Sequence, residues 1–380
     1  MTAMAQTFDI CIRGSGIVGK TLALLLARDR LKVALVPAPA HANPAATDVR
    51  AYALNAASRG LLESLRSWPD ATHATAVTHM QVMGDEGGSV SFDAVKQGVE
   101  ALAWIVDVPA LEVRLAEAVR YQPQVEILDA PVEAPLTVVC EGRSSSTRAE
   151  FGVDFQVVPY AQQAIATRIR CELPHDQMAR QWFSAQGILA FLPLDGPQGN
   201  SVAVVWSVPV DQVAALMALA PEDFSQTLQT ASQGSLGAIS LCADRSTWPL
   251  QLAKADRWCG STSVENKTPR SWVLAGDAAH NVHPLAGQGL NLGLADVQML
   301  ADVLRKRDYW RSVADLRLLR RYERERKAAL ATMGLATDGL QQLFSRTDAP
   351  WQTLRNLGMK GFERSGPLKA FITRRAMGVY

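Results

Sequence analysis

Apolar positions open the chain in a short run at residues 8–12, stop at Gly14-Ser15-Gly16, and resume through residues 20–28 on most faces of a helix. A second apolar run follows at 32–36. The pattern predicts strand, helix and strand within about 30 residues, with the glycines in the first turn. Ala23 sits where a small side chain lets the helix approach a sheet. Farther along, residues 41–60 read as a loop running into a helix, 76–106 alternate as strands do, and 110–119 form a helix after Pro109. Residues 124–140 read as short strands broken by prolines. The stretches 156–170 and 188–208 alternate apolar and polar, with a turn at Asp195-Gly196-Pro197, and predict antiparallel sheet. A helix after Pro221 leads to a strand at 239–242, and 287–345 is mostly helical.

The glycine turn carries the first chemistry. Gly14 makes the tight turn, Gly16 lets a pyrophosphate approach the backbone, and Gly19 permits close helix–strand packing. The helix N-terminus then offers N–H groups and positive dipole to phosphate. The acid that usually ends the second strand and holds ribose hydroxyls is replaced by Pro37, and Arg13 is unusual at the end of a buried strand. The second constellation is Val273-Leu274-Ala275-Gly276-Asp277-Ala278-Ala279-His280, continuing through Pro284 to Gly287-Gln288-Gly289-Leu290-Asn291. A buried strand ends in Gly-Asp, whose carboxylate accepts from sugar-like hydroxyls. The Gly-Gln-Gly turn opens a helix with room for a flat ring. His280 and His283 lack the acidic or thiol partners of a metal site, and are read as satisfying local backbone groups. Asp277 with His280 lacks a serine in a nucleophile elbow. No metal is expected.

Composition narrows the rest. Of 380 residues, 48% are hydrophobic and 20% charged, which excludes disorder and small disulfide scaffolds. The length suits two or three domains, or one α/β unit with an insertion. Net charge is +1, so no nucleic-acid partner is indicated. The charge is uneven: residues 301–380 hold 17 Lys/Arg against 8 Asp/Glu. Within 341–380 the basic residues interleave with Leu343, Phe344, Trp351, Phe362 and Phe371, as a membrane-surface helix would have them. Five scattered cysteines without a CxxC suit reduced thiols. With neither signal peptide nor spanning segment in the sequence, the expectation is a cytoplasmic protein, any membrane contact being peripheral and at the inner membrane.

Together the N-terminal GxGxxG, the mid-chain Glu141-Gly142 and the late GDAAHxxHPxxGQGxNxGxxD resemble the group A flavin monooxygenases. Within that group, HPLAGQGLNLGLADV is similar to the ubiquinone-biosynthesis aromatic hydroxylases of UbiH/VisC type, as are Arg50-Ala51-Tyr52-Ala53-Leu54, Tyr160-Ala161-Gln162-Gln163-Ala164 and Ala336-Thr337-Asp338-Gly339-Leu340. The resemblance runs almost end to end. It implies an α/β fold: a Rossmann-like FAD-binding domain of p-hydroxybenzoate hydroxylase type (1–75, 100–150 and 265–335), an inserted mixed β-sheet substrate domain (76–99 and 151–264), and a basic amphipathic helical C-terminus (336–380).

It further implies FAD, with NAD(P)H as reductant and O₂ activated as a peroxyflavin, hydroxylating a polyprenyl phenol. Gly14, Gly16 and Gly19, with Ser15 and Ile17 between them, would form the pyrophosphate turn. Arg50 would contact the phosphate or ribityl region, and Gly276 and Asp277 would hold the ribityl chain. Gly287, Gln288, Gly289, Leu290 and Asn291 would lie against the isoalloxazine, and Pro284 would border cofactor and substrate. Phe191 and Trp206 are expected in the pocket wall. The flavin carries the chemistry, so no protein base is assigned. Two departures stand out: Pro37, and Glu141 where relatives have Asp. They leave open a non-catalytic scaffold subunit of a ubiquinone-synthesis complex. Hydroxylation of a soluble aromatic acid is the other alternative, with Arg168 or Arg170 as its carboxylate anchor.

Overall fold

The computed structural model describes residues 7–38, 48–84, 88–184, 187–262, 270–281 and 289–345. Strand β1 (Ile10–Arg13), helix α1 (Ile17–Arg28) and strand β2 (Val33–Val36) form the predicted opening. β1 and β2 pair in parallel, Ile10 opposite Val33. β1 is flanked on its other side by the parallel strand Leu136–Val139. A six-stranded sheet results, ordered Cys259–Thr262, Arg270–Leu274, Leu136–Val139, β1, β2, Val125–Ile127. All neighbours are parallel except the Cys259–Thr262 edge. Parallel strands buried on both faces need unbroken apolar runs, and both β1 and β2 have them. Leu22, Ala23 and Leu26 of α1 are fully buried in the core that the sheet shares with the Val108–Arg120 and Gly289–Arg305 helices.

A three-stranded sheet follows, ordered Ala51–Leu54, Ala103–Asp107, Ala74–Val77. Ala51–Leu54 corrects the loop expected there. Four residues are too few to show alternation, and the antiparallel partner lies some fifty positions away.

The third sheet has nine strands and is built around Phe155–Cys171, which alone runs for 17 residues. Its first half pairs with Ser246–Ala255 and its second with Ser201–Pro209, with a register shift between Pro159 and Gln163. Gly187–Pro193, Met178–Ser184, His79–Met83 and Ser89–Asp93 extend it. Alternation gives the sheet two different apolar faces. On one, Ile165, Phe191, Val204 and Trp206 pack with Phe224 and Leu228 of a covering helix, Pro221–Ala231. On the other, Ala179, Leu194 and Ala203 pack against Ala51, Ala53, Val77 and Ile105 of the small sheet.

Arg168 fastens this second contact. Its Nη1 lies 2.6 Å from an Asp107 carboxylate oxygen, and Nε and Nη2 donate to the carbonyls of Val49 and Arg50.

A buried carboxylate joins the remaining elements. Asp296, with 0% exposure on the Gly289–Arg305 helix, accepts from Gly276 N at 2.9 Å, His280 Nε2 at 2.7 Å and Arg326 Nε at 2.6 Å. Arg326 belongs to the helix Leu316–Ser345 and also donates to Leu292 O. Trp258 stacks on the His280 ring at 4.9 Å between centroids, and Tyr322 donates to Leu274 O. Burial would raise the Asp296 pKa, but the charge and hydrogen bonds of His280 and Arg326 outweigh it and hold the carboxyl below its ordinary range. His280 is therefore engaged by a carboxylate and not, as expected, by local backbone. Among the described residues no helix is long and apolar enough to cross a membrane.

Removing one partner of a buried charge network leaves the others desolvated and unpaired. Asp296→Ala should therefore lower unfolding free energy by about 3–5 kcal/mol in urea titrations. A loss below about 1 kcal/mol would show that the cluster is relaxed by water.

Candidate active site

Three glycine-bearing turns meet at the start of α1. Gly14 has φ +109°, and a Cβ there would stand 2.3 Å from the Cys140 carbonyl oxygen. A Cβ on Gly19 would lie 1.9 Å from Gly14 O. Both positions are closed to side chains, so β1, α1 and the end of Leu136–Val139 are locked together. Gly16 is different: it is exposed, and nothing stands within 4 Å of where its Cβ would be. It is the N-cap of α1, with no side-chain cap and no acidic residue in the first turn. Ser15 is half-buried and Ile17 buried beneath it. An uncapped helix N-terminus beside open space is a ready anion cradle.

The second turn, Gly276–Ala278, faces the first. Gly276 has φ +63°, and a Cβ would stand 3.3 Å from a Val18 methyl. Gly293 meets the same side chain: its Cβ would come to 2.9 Å from Val18 and 3.4 Å from Gly276 Cα. Asp277 follows with an exposed side chain, yet surrounding protein pushes its carboxyl pKa up. Tyr52 and Arg50 share that surrounding: burial pushes the Tyr52 phenol up, and both Arg50 and Asp277 act on it electrostatically. Arg50 is held by Asp48, Nε to Oδ1 at 2.8 Å and Nη2 to Oδ2 at 2.6 Å, with its side chain half-exposed. Asn281 leaves a buried Oδ1 with no hydrogen-bond partner among the described residues.

The third turn is the Glu141 segment, where the structure accounts for the departure from Asp. The longer Glu141 side chain accepts from Ser145 Oγ at 2.6 Å, Thr147 Oγ1 at 2.7 Å and Thr147 N at 3.3 Å, and meets Arg13 Nε at 3.3 Å. Arg13 also forks onto Glu150, which explains a cation at the end of β1. Burial would raise the Glu141 pKa, but the Ser145 and Thr147 hydrogen bonds and the Arg13 charge more than offset it, leaving it lowered. Arg148 stacks over Phe155 at 3.7 Å and donates to the carbonyls of Gly142, Arg143 and Ala278. The bond to Ala278 O ties this segment to the Gly-Asp turn.

Gly14, Ser15, Gly16, Ile17, Gly19, Gly276 and Asp277 thus converge, with Arg50 and Tyr52 on the same concave side. Pro284, Gly287, Gln288 and His283 lie outside the described residues. Gly289 opens its helix and Leu290 is half-buried. Asn291 is turned to bracing: Nδ2 donates to Ala53 O, and Oδ1 accepts from Asn55 N and Ser58 Oγ. Phe191 and Trp206 need correction. They are 1% and 5% exposed, and pack against Trp182 and Phe224 on the helix-covered face of the sheet. That face points away from the small sheet, so neither lines a pocket between the two. Sequence reading missed Arg326 and Arg148, and took in Asp296 only as the last residue of the late motif, without a role. No group of three or more potential metal ligands occurs among the described residues.

The donors fit a flavin dinucleotide: an open helix N-terminus for the pyrophosphate, Arg50 for a phosphate and Asp277 for hydroxyls. Comparison with known proteins agrees. The FAD binding domain family matches residues 115–334. The chain is 31% identical to the ubiquinone hydroxylase UbiL of Rhodospirillum rubrum, over 97% of this chain and 89% of that protein. It is 30% identical to the 3-demethoxyubiquinol 3-hydroxylase of Escherichia coli, over 98% and 99%. The solved p-nitrophenol 4-monooxygenase PnpA of Pseudomonas putida shares the fold, with TM-score 0.74, 17% identity and coverage of 98% and 99%.

Two expectations test the site. Gly16→Ala should change the stability of the cofactor-free protein by less than about 1 kcal/mol, yet weaken FAD binding in fluorescence titrations by about tenfold. Gly19→Ala should fail to give folded protein, and equal effects of the two changes would refute the cradle. Because the folded pKa of Glu141 is lowered, its contribution is full above about pH 5 and fades as pH falls below about 4. Glu141→Gln should therefore trail the parent in stability at neutral pH, with the gap closing in acid. A pH-independent gap would rule out a titrating Glu141.

Proposed function

Since this chain belongs to the FAD-dependent hydroxylase family of ubiquinone biosynthesis, we propose that its three converging turns hold FAD for hydroxylation of the aromatic ring of a polyprenyl phenol. The protein is an FAD-dependent monooxygenase that uses NAD(P)H and O₂. The observation that carries the assignment to this site is the exposed, uncapped N-terminus of α1 at Gly16, with the Gly276 turn packed on Val18 of the same helix and Asp277 exposed beside it. FAD, when bound, supplies the redox and oxygen chemistry. The residues do the rest. The first turn of α1 receives the pyrophosphate, and Arg50 exchanges part of its Asp48 contact for a phosphate. Asp277 orients the ribityl hydroxyls. Asp296 holds the peptide N–H of Gly276 and so fixes the turn on which Asp277 stands.

An apolar phenol is favoured over a soluble aromatic acid by the state of Arg168. That guanidinium is committed to Asp107, Val49 O and Arg50 O, and so is not free to anchor a carboxylate. Arg170 is exposed. Across the contact with the small sheet, the facing side chains are Ala179, Leu194 and Ala203. A polyprenyl phenol partitions into the bilayer, so peripheral docking of the enzyme on the membrane belongs to the same reading.

The test is an absorbance spectrum of the purified protein reconstituted with FAD, followed by NAD(P)H. An oxidised-flavin spectrum that bleaches with NAD(P)H, and product heavier by one oxygen from a polyprenyl phenol and not from a benzoate, is the expected result. Failure to take up FAD from excess would favour the scaffold role. Hydroxylation of the benzoate alone would move the substrate class.

A further inference from the structure

Among the exposed large apolar side chains of the described residues, two are adjacent in the chain and in contact with one another. Tyr309 is 94% exposed and Trp310 67%, with their rings edge to face at 4.9 Å between centroids. They stand at the tip of the link between the Gly289–Arg305 and Leu316–Ser345 helices. The link is braced from behind. Arg311 donates to Asp308 through Nε at 2.9 Å and to Asp315 through Nη1 at 2.6 Å, while its N–H bonds Asp308 O. Val313 and Ala314 are buried, and Ala314 O accepts from Ser271 Oγ in the six-stranded sheet. The aromatic pair is therefore presented on a fixed base.

Charge surrounds it. Residues 302–327 hold ten Lys/Arg against five Asp/Glu. All five acids are engaged within the segment: Asp302 by Arg305, Asp308 and Asp315 by Arg311, Glu323 by Lys327, and Glu325 by Arg321. Lys306, Arg317, Arg320 and Arg324 are exposed, and none has a side-chain ion pair among the described residues. Leu319, Tyr322 and Arg326 turn the other side of the helix into the core. Spacings of three and four thus set Arg317, Arg320 and Arg324 on one outward face.

We propose that Tyr309, Trp310 and this arginine face form a docking surface for an anionic lipid bilayer. Tyr and Trp rings settle at the boundary between headgroups and acyl chains, where one end is apolar and the other wet. Exposed arginines of the same segment can meet lipid phosphates, and the acids that would oppose a negative surface are already paired. The choice of a bilayer rests on the reading of the substrate as a polyprenyl phenol, which brings the enzyme to a membrane.

The test uses the full chain and vesicles of phosphatidylcholine with or without phosphatidylglycerol. Cosedimentation should require phosphatidylglycerol and weaken with added salt. Brominated lipids should quench fluorescence in the parent and not in Trp310→Phe. The triple variant Arg317→Glu, Arg320→Glu, Arg324→Glu should lose about tenfold or more in vesicle affinity, as should Tyr309→Ser with Trp310→Ser. Circular dichroism establishes that each is folded, and the charge variant stands alone if the aromatic one is not. No binding to anionic vesicles, binding unchanged in both variants, or capture only by an acidic protein would overturn the proposal. NAD(P)H bleaching of bound FAD in solution should be the same in parent and variants. Docking can thus fail while the enzymatic assignment holds, and loss of bleaching in the parent would count against the assignment instead.

Discussion

One buried carboxylate sets the geometry on which the rest depends. Asp296 is ionised in the core and lies within hydrogen-bond reach of a strand-end peptide, an imidazole and a guanidinium. A charge without solvent is tolerated only where such partners surround it. The requirement runs outward. Gly276 offers its N–H to the carboxylate and turns the chain at positive φ, which admits little but glycine. Val18 and Gly293 fill the space against it. Asp277, next in the chain, is left exposed. The exposed turn stands on an electrostatic demand met inside.

Much of this was legible in sequence, for a physical reason. The Gly14–Gly19 turn and the Gly276-Asp277 turn are local: the residues that define each conformation are neighbours in the chain. The bonds that orient them are not. Arg148 reaches Ala278 across 130 positions and Arg326 reaches Asp296 across 30. Neither arginine looks different from a surface one in the sequence. The error at Phe191 and Trp206 has another origin. Alternation separates the faces of a strand but names neither, and here both faces are apolar, one under helices and one against a second sheet. Ala51–Leu54 was hidden because a four-residue strand has no period to read.

The two departures from the family pattern differ in kind. At Glu141 the added methylene is absorbed by Ser145, Thr147 and Arg13, so the segment keeps its link to the Gly-Asp turn. At Pro37 the ring replaces an acceptor, and the exposed end of β2 offers no carboxylate in its place. The first is a substitution with its compensation built in. The second has no such compensation among the described residues.

Arg168 joins two parts of the molecule that are otherwise separate in role. Its forked head belongs to the long strand of the nine-stranded sheet, but it grips the peptide carbonyls of Val49 and Arg50. The nine-stranded sheet and the peptide that carries Arg50 are therefore tied together. A sheet displacement the length of a hydrogen bond cannot occur without either tearing that fork or dragging the Arg50 backbone along. The register between the two sheets is thus held by a directional fork as well as by the apolar contact of Ala179, Leu194 and Ala203 with the small sheet.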